Sequence, residues 1–491
     1  MRGLVSLADC IILAGQNDID NGWVQLKRTL GQYRIASSLE EAGYETFVLD
    51  FIQHFSSDEI ISVLSKHLTD KTLWVGFSST FFWTKESELS LTPSTESMYY
   101  TKYQEVLKVL KYIKTNSNAK LIYGGSKTPY FLEIDEFIDC YVTGNADVSI
   151  IKVTDNIMLG KTERFVDSLK YPEPDVKTIH TKISNVLHGE TLPIELARGC
   201  IFKCKFCSYP LLGKKKGTYL RDFSQVKDEM IEYWETNKVD TYYITDDTFN
   251  DDNDKIEELH KIFTSLPFKP KFASYLRIDL LNKFPHQAKL LQEMGLVGTF
   301  FGLETLQPDS AKAIGKGLHP NKVIDRLYWL NEEWDNKVNI EAGFILGLPH
   351  DSMSYFNELI DWSMKSDNPV HAIRFYPLSI VKNSNVDLDR YSSDFSLNHE
   401  AYGYTFNNFD DFSWNLRKKL SFDLCKNISD SFNQLRSPRN KYAGFGMVNA
   451  LSVGYKLDDL YTYTQKELLY KYNVKELERV KVDEYKRIIG L

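Results

Sequence analysis

The sequence has few cysteines, no long apolar run and no excess of basic residues, and each absence excludes a class of protein. Six cysteines among 491 residues are too few for the disulfide framework of a secreted scaffold. No window approaches the run of about 18 apolar residues that spans a membrane. The 59 Lys and Arg residues against 67 Asp and Glu give a net charge of −8, which provides no overall basic field for nucleic acid.

What remains is the composition of an ordinary folded protein, with 43% hydrophobic and 26% charged residues. We therefore expect a cytoplasmic protein with neither a membrane nor a nucleic acid as partner. A chain this long exceeds one ordinary core, so we expect about two or three domains. No short internal repeat or low-complexity tract interrupts it.

The first 150 residues alternate between short β-rich runs and helix-length patterns. Five predicted strands lie in ADCIILAG, TFVLDF, TLWVGFSSTF, AKLIYGGS and FIDCYVTG. Apolar strands that alternate with helices predict a parallel sheet covered on both faces. Ligands of such sheets bind outside the carboxyl ends of the strands. Small residues there let a ligand approach the backbone, although turns also need glycine for steric reasons.

A second alternating series begins near residue 191. Its six predicted strands are PIELARG, TYYITDD, KFASYLRID, LVGTFFGLET, NIEAGFILGLP and HAIRFYPLSI. Six β/α units predict an incomplete barrel, with its chemistry at the carboxyl ends of the strands. We therefore expect an α/β chain with a parallel-sheet domain over 1–155, a linker over 156–190, a partial barrel over 191–384 and a helical region over 385–491.

The strongest signal is Cys200-Ile-Phe-Lys-Cys204-Lys-Phe-Cys207, directly after the first barrel strand. Three thiolates on one loop can hold three irons of a [4Fe-4S] cube and leave the fourth iron without a protein ligand. A structural cluster or zinc site would take four protein ligands. His188 offers a fourth ligand for zinc, but the loop lies where a barrel has its active site, which favours the reactive cluster.

This run resembles the motif of the radical S-adenosylmethionine (SAM) superfamily, C-x3-C-x2-C with an aromatic or apolar residue before the last cysteine. Cys200, Cys204, Phe206 and Cys207 match it. The resemblance implies that the open iron chelates SAM and that an electron from the cluster cleaves SAM to a 5′-deoxyadenosyl radical. It also implies that the backbone beside Phe206 lies against the adenine.

Other strand ends fall where the superfamily contacts SAM. Asp246 and Asp247 end the second strand, where carboxylates could accept hydrogen bonds from the amino group or the ribose. Arg277 ends the third strand and could pair with the methionyl carboxylate. Glu304 closes the fourth strand, and Gly347 lies in the fifth. Each could instead be structural, as a helix cap, ion pair or turn, and the sequence alone assigns no catalytic residue.

A flavodoxin-like, Rossmann-like domain before such a barrel resembles the cobalamin-binding class of the superfamily. The segments LGQYRIASSLEEAGYETFVLDF, VGFSSTF and IYGGS carry this resemblance. The chain lacks the D-x-H-x-x-G motif, so we expect no histidine-ligated cobalt. GNAD at 144–147 also departs from the acidic G-E-G-E turn of the class. The cobalamin (B12) site that the resemblance implies consists of small residues at strand ends: Ser78, Ser79, Gly124, Gly125 and Gly144.

The resemblance implies methylation of an unactivated centre, with methylcobalamin as the methyl donor. One alternative is a cobalamin-independent radical SAM enzyme that abstracts hydrogen for rearrangement or oxidation and has a vestigial first domain. Another is a non-catalytic iron-sulfur or zinc protein. The substrate would be a small molecule or a peptide, and a flavodoxin- or ferredoxin-type protein would donate electrons.

Three further groups of residues have an ordinary and a functional interpretation. Lys214, Lys215 and Lys216 are expected to be a solvated loop, with attraction of an anionic substrate or of an acidic electron donor as the alternative. Cys10, Cys140 and Cys425 are expected to be buried small hydrophobic residues. The aromatic residues of the last region could cover the barrel or simply pack its helices: Phe409, Phe412, Trp414, Phe422, Phe432, Tyr442 and Phe445.

Overall fold

The computed structural model describes residues 8–15, 26–78, 96–125, 134–172, 174–209, 211–380, 393–406, 413–417, 419–435, 439 and 441–491. The chain divides into two compact units. One comprises Met1–His188 together with Lys475–Leu491, and the other comprises Gly189–Val474. Within the described residues, no helix is long and apolar enough to cross a membrane.

The first unit is built on a parallel sheet of six strands in the order β2-β1-β3-β4-β5-β6. This order confirms the flavodoxin-like fold, in which the strand order reverses between β1 and β3. The strands are β1 (Cys10–Leu13), β2 (Thr46–Leu49), β3 (Trp74–Ser78), β4 (Lys120–Gly125), β5 (Cys140–Thr143) and β6 (Phe165–Asp167). The helices between them are α1 (Gly31–Glu41), α2 (Ser57–His67), α3 (Glu96–Asn116) and α4 (Ser149–Met158).

The sheet has one strand more than the five that the sequence predicts. The additional strand, β6, lies within residues 156–190, which were expected to be a linker, and it pairs in parallel with β5. That segment is therefore partly integral to the sheet. Because β6 is an edge strand of three residues, it is too short to show a periodic pattern in the sequence.

The second unit is built on a parallel sheet whose six strands pair strictly in chain order. The strands are β7 (Thr191–Ile194), β8 (Thr241–Ile244), β9 (Lys271–Leu276), β10 (Leu296–Glu304), β11 (Asn339–Leu346) and β12 (Ala372–Pro377). Their connections contain α5 (Phe223–Asn237), α6 (Asn253–Thr264), α7 (Ile278–Lys283), α8 (Gln287–Met294), α9 (Pro308–Ala313), α10 (Pro320–Glu333) and α11 (Met353–Ser363). Over the described residues β7 and β12 remain unpaired with each other, so the barrel is incomplete as predicted.

Along these strands, successive side chains face alternately the surrounding helices and the interior of the barrel. Phe272 of β9 packs against Phe263 of α6, and Phe344 of β11 packs against α11. Even-numbered positions of these two strands therefore face the helices. Since side chains alternate along a strand, Tyr275 and Glu341 face the interior.

The region after β12 is mainly helical, as predicted, and also contains a small antiparallel sheet. Its sheet comprises β13 (Tyr404–Phe406), β14 (Trp414–Leu416) and β15 (Leu420–Ser421). Its helices are α12 (Asp394–Leu397), α13 (Phe422–Leu435), α14 (Phe445–Ser452), α15 (Leu457–Thr462) and α16 (Gln465–Lys471). Short 3-10 turns span Ile52–His54, Ser168–Lys170 and His399–Tyr402.

Helix α14 closes the end of the barrel at which the strands begin. The Thr191 hydroxyl donates to the carbonyl of Val448 at 2.7 Å, and the Gly444 N–H donates to the carbonyl of Asn339 at 3.2 Å. Thr191 and Asn339 are the first residues of β7 and β11. The opposite end, where the strands finish, carries the predicted site.

The last helix, α17 (Val474–Ile488), belongs from Lys475 onwards to the first unit. The side chain of Tyr485 is fully buried, and its hydroxyl accepts a hydrogen bond from the Asp50 N–H at 2.9 Å. Its ring meets Phe51 edge-on at 5.1 Å, and the Arg28 guanidinium lies 5.4 Å from its centre. Because Asp50 directly follows β2, this contact ties the end of the chain to the carboxyl end of β2.

Replacing Tyr485 by Ala should lower the free energy of unfolding by about 3–5 kcal/mol, since it leaves a large cavity. Tyr485→Phe should cost about 1 kcal/mol, because it removes only the hydrogen bond. Urea denaturation followed by circular dichroism measures both values. Val480→Ala, at a residue 48% exposed on the same helix, is the control and should change stability by about 0.5 kcal/mol or less. Equal effects of Tyr485→Ala and Val480→Ala would contradict the assigned packing.

Candidate functional site

The loop after β7 brings the three predicted cluster ligands together. The N–H groups of Gly213 and Lys214 both donate to the carbonyl of Cys200, at 2.7 and 3.1 Å. Within the loop, the Cys207 N–H donates to the carbonyl of Cys204 at 3.0 Å. These backbone hydrogen bonds hold Gly213 and Lys214 close to the start of the cysteine segment.

The thiols of this loop have polar neighbours and influence one another. The Cys200 sulfur is 3.3 Å from the Thr248 hydroxyl, and the Cys204 sulfur accepts a hydrogen bond from Arg277 at 3.4 Å. Burial raises the pKa of Cys207 to about 11, and the charges of Cys204 and Cys200 add to the rise. A buried thiol of this kind becomes a thiolate when a metal replaces its proton.

The three thiols are a donor set that fits an iron-sulfur cluster. In the described part of the chain, no group of three or more His, Cys, Asp or Glu side chains converges so as to hold one metal ion. Each thiolate of a [4Fe-4S] cube binds a different iron, so three thiols on one loop can hold three of its irons.

Arg277 places a positive charge beside Cys204. Its guanidinium lies 3.6 Å from the centre of the Phe202 ring, and Asp279 holds it through hydrogen bonds of 2.9 and 2.7 Å. Burial would lower the pKa of Arg277, but the pairing with Asp279 raises it. Asp279 is a functional residue that was not predicted, although its Arg-x-Asp spacing in the sequence was the available signal. Pairing of Arg277 with the SAM carboxylate stays a prediction.

Asp246 supports the backbone just before the thiol loop. It is 1% exposed, and one of its oxygens accepts the N–H groups of Leu196 and Ala197 at 2.8 and 2.9 Å. Its other oxygen lies 3.5 Å from the Lys255 ammonium. Burial raises the pKa of Asp246 to about 6, although these partners oppose the rise. Its predicted contact with SAM is not tested by this geometry and stays a prediction.

The expectation that the three lysines after the cysteines form a solvated loop is wrong for the first of them. The Lys214 side chain is 1% exposed and lies 3.5 Å from the Asp251 carboxylate. The fully buried Lys255 lies 2.5 Å from the same residue. Lys216, which is half exposed, pairs with Asp252 at 3.0 Å. The sequence signal for these ion pairs was the acidic segment DDTFNDD at 246–252, which provides the carboxylates that the lysines pair with.

Two more predicted carboxylates lie at strand ends. Half-buried Asp247 follows β8, where burial and the neighbouring Asp246 raise its pKa to about 6. Glu304 ends β10 with a backbone φ of +66°, a left-handed conformation that residues other than glycine rarely adopt. Burial raises the pKa of Glu304, while Lys316, 3.5 Å away, opposes that rise. Backbone strain of this kind concentrates at functional sites.

The remaining two predicted SAM contacts differ in their surroundings. Phe206 is half-buried within the thiol loop. Gly347 has a φ of +95°, and the Trp414 ring occupies the space that a Cβ would need. The Tyr404 hydroxyl donates to the Gly347 carbonyl at 2.7 Å. Gly347 thus forms a turn packed against the small antiparallel sheet, and its contact with SAM stays a prediction.

Four of the residues predicted for cobalamin form a strip at the carboxyl edge of the first unit's sheet. Ser78 of β3 lies in register with Gly124 of β4. The Gly144 N–H donates to the carbonyl of Gly125 at 2.9 Å. Ser79 lies outside the described residues, as do Phe409 and Phe412 of the last region.

The three cysteines outside the thiol loop are buried, as predicted. Cys10, Cys140 and Cys425 are each fully buried, and burial raises the pKa of all three thiols. They therefore serve as matched controls for the thiols of the loop.

The family model of the Radical SAM superfamily matches residues 194–363. This range begins at the end of β7, includes the thiol loop and ends with α11.

Two curated relatives are methyltransferases by name. An uncharacterised methyltransferase of Pyrococcus horikoshii is 24% identical over 314 residues, which cover 57% of this chain and 64% of that protein. Bacteriochlorophyllide d C-8(2)-methyltransferase of Chlorobaculum tepidum is 23% identical over 245 residues, which cover 46% of this chain and 53% of that protein. The chain thus spans less than two thirds of the length of either relative.

A solved structure shares the fold of nearly the whole chain. It is the radical SAM methyltransferase TsrM of Kitasatospora setae with cobalamin and a [4Fe-4S] cluster bound, at 15% identity and a TM-score of 0.62. The match covers 97% of this chain and 99% of that one. A second structure of TsrM, with tryptophan and a SAM analogue bound, matches with a TM-score of 0.60. Residues 194–363 are therefore a radical SAM domain, in a chain whose fold is that of a solved cobalamin-binding radical SAM methyltransferase.

Proposed function

We propose that this chain is a radical SAM enzyme that holds a [4Fe-4S] cluster on Cys200, Cys204 and Cys207 and methylates an unactivated centre with the help of cobalamin. The observation that carries the proposal is the position of the thiol loop. It follows the first strand of an incomplete parallel barrel, where barrel enzymes have their active sites. The carboxyl edge of the flavodoxin-like sheet in the first unit is the proposed site of the second cofactor, cobalamin.

Each cofactor would supply chemistry that side chains lack: the cluster an electron for cleaving the sulfonium of SAM, and cobalamin a methyl group. The chain's own residues bind and orient. Arg277, beside Cys204, stabilises the negative charge of that thiolate. Asp246 fixes the backbone that leads into the loop. The residues proposed to contact SAM are Phe206, Asp246, Asp247, Arg277, Glu304 and Gly347, and those proposed to line the cobalamin site are Ser78, Ser79, Gly124, Gly125 and Gly144.

A small-molecule substrate is part of the proposal. TsrM is solved with tryptophan as its substrate, and one curated relative is named for a bacteriochlorophyllide. Electrons would come from a flavodoxin- or ferredoxin-type protein. Lys215 and Lys216 are exposed, but this short segment contributes little to docking such a partner, because Lys216 and the buried Lys214 are already paired with aspartates.

Replacing Cys204 by Ala should abolish cluster assembly and SAM cleavage, because two thiolates do not hold the cube. The measurement is iron and sulfide content after anaerobic reconstitution, with 5′-deoxyadenosine quantified by mass spectrometry after reduction. Cys140→Ala, which removes a buried thiol in β5, should keep both properties. Full iron content and SAM cleavage in the Cys204 variant would refute the ligand assignment.

Incubation with hydroxocobalamin followed by desalting should leave about one corrinoid per chain, read by absorbance and mass spectrometry. Ser78→Phe should reduce retention at least about tenfold, because a large ring at the end of β3 obstructs the crevice where such sheets bind ligands. Ser65→Phe, at an exposed position of α2, should retain the corrinoid. If wild-type protein retained none while SAM cleavage persisted, the cobalamin-independent alternative would replace this proposal.

Replacing Arg277 by Gln should shift the midpoint potential of the cluster to more negative values, because reduction adds negative charge beside a lost cation. Hydrogen bonds to charged groups contribute roughly 1.5–3 kcal/mol, which corresponds to on the order of 60–130 mV for one electron. Potentiometric titration followed by electron paramagnetic resonance measures the shift. Arg326→Gln on α10 removes the same charge elsewhere in this unit and should leave the potential unchanged. An unchanged potential in the Arg277 variant would exclude the assigned role.

A further inference from the structure

The interior of the second unit is lined by aromatic rings. We call five of them the aromatic chamber: Tyr243, Tyr275, Phe300, Tyr376 and Phe445. The Tyr275 ring lies 5.4 Å from Phe300 and 4.6 Å from Phe445, and Phe445 lies 6.2 Å from Tyr243. The rings come from strands β8, β9, β10 and β12 and from the first residue of α14.

A glycine makes room for one of these rings. A Cβ on Gly343 of β11 would lie 2.6 Å from the Phe300 ring. Any larger residue there would displace the ring, so the strand leaves space for an aromatic group. The chamber is thus built into the sheet itself.

Two rings of the chamber are exposed although they face inward. Tyr275 is 42% exposed, and Tyr376 is 45% exposed. Tyr376 shares the inward face of β12 with Arg374, which pairs with the inward-facing Glu341 at 2.6 Å. An inward ring with this exposure borders open space rather than packed atoms. Desolvation inside the barrel raises the pKa of the Tyr376 hydroxyl to about 12, so this side chain stays neutral.

The polar part of the interior is balanced in charge. Arg374 and Glu341 form an ion pair whose side chains are 27% and 8% exposed. Together they add no net charge to the wall beside the rings. Binding pockets commonly combine aromatic walls with a few such polar groups.

The open rings lie near the thiol loop. Tyr275 is two residues before Arg277, which donates to the Cys204 sulfur. Tyr376 is one residue before the end of β12. The open part of the chamber therefore lies at the end of the barrel where the proposed radical chemistry would occur, while α14 closes the other end.

We propose that the aromatic chamber is the substrate site and that it selects a planar aromatic or conjugated ring system, which stacks on Tyr275 and Tyr376. The inference rests on the proposed function and adds a substrate class to it. Aromatic faces bind flat rings in offset or edge-to-face geometry, with about 0.5–1.5 kcal/mol per pair beyond area burial. A saturated ring of the same skeleton is thicker and lacks the π system, so it forgoes this contribution.

The test compares two neutral alcohols with one carbon skeleton, 2-naphthalenemethanol and its fully saturated decahydro analogue. Equilibrium dialysis against the full, cluster-loaded chain should show about tenfold tighter binding of the naphthalene compound, the sum of two stacking contacts. Tyr275→Leu should reduce the preference to about threefold, because the contact with Tyr376 remains, whereas Tyr275→Phe should keep it. Tyr470→Leu, at an exposed tyrosine of α16, is the matched control and should bind like the wild type.

Equal affinity for both alcohols, or binding of neither, overturns the assigned substrate class. SAM cleavage measured in the same sample separates this failure from failure of the proposed function. Cleavage without aromatic preference refutes only the chamber, and aromatic preference without cleavage refutes only the radical SAM activity. If Tyr275→Leu does not fold, Tyr376→Leu at the open rim gives the same test.

Discussion

The geometry of the thiol loop depends on a buried network of opposite charges. Lys255 is fully buried and lies 2.5 Å from Asp251 and 3.5 Å from Asp246, and Lys214 approaches Asp251 at 3.5 Å. Removing one partner of such a network leaves an uncompensated buried charge, which costs about 3–5 kcal/mol. Asp246 also accepts two backbone N–H groups just before the cysteines, so the network fixes the segment that enters the loop. At the other end of the loop, the Lys214 N–H donates to the carbonyl of Cys200.

The second unit separates charged and thiol groups from aromatic groups. Charged and thiol groups occupy the loops at the strand ends, where Asp279 orients Arg277 toward Cys204. Aromatic groups occupy the inward face of the strands, and α14 closes the end where the strands begin. A reactive group at the strand ends would thus face an interior lined by aromatic rings.

Much of the fold follows from local patterns. Apolar strands that alternate with helical stripes predicted both parallel sheets, and the structure confirms them. The additional strand β6 was not predicted, because three residues carry no periodicity and the strand exists only through its pairing with β5. The small sheet β13-β14-β15 was not predicted for the same reason. Short strands depend on their partners more than on their own residues.

The sequence by itself determined the spacing of Cys200, Cys204 and Cys207 and their place after a strand, which are local properties and on which the proposed chemistry rests. Only the tertiary structure decided which side chains meet. Burial of Lys214 depends on Asp251, 37 positions later in the chain. The gathering of rings around Tyr275 depends on strands and a helix far apart in sequence. The physical reason is that desolvation, ion pairing and ring contacts depend on distance in space, which sequence spacing determines only within a single loop, strand or helix.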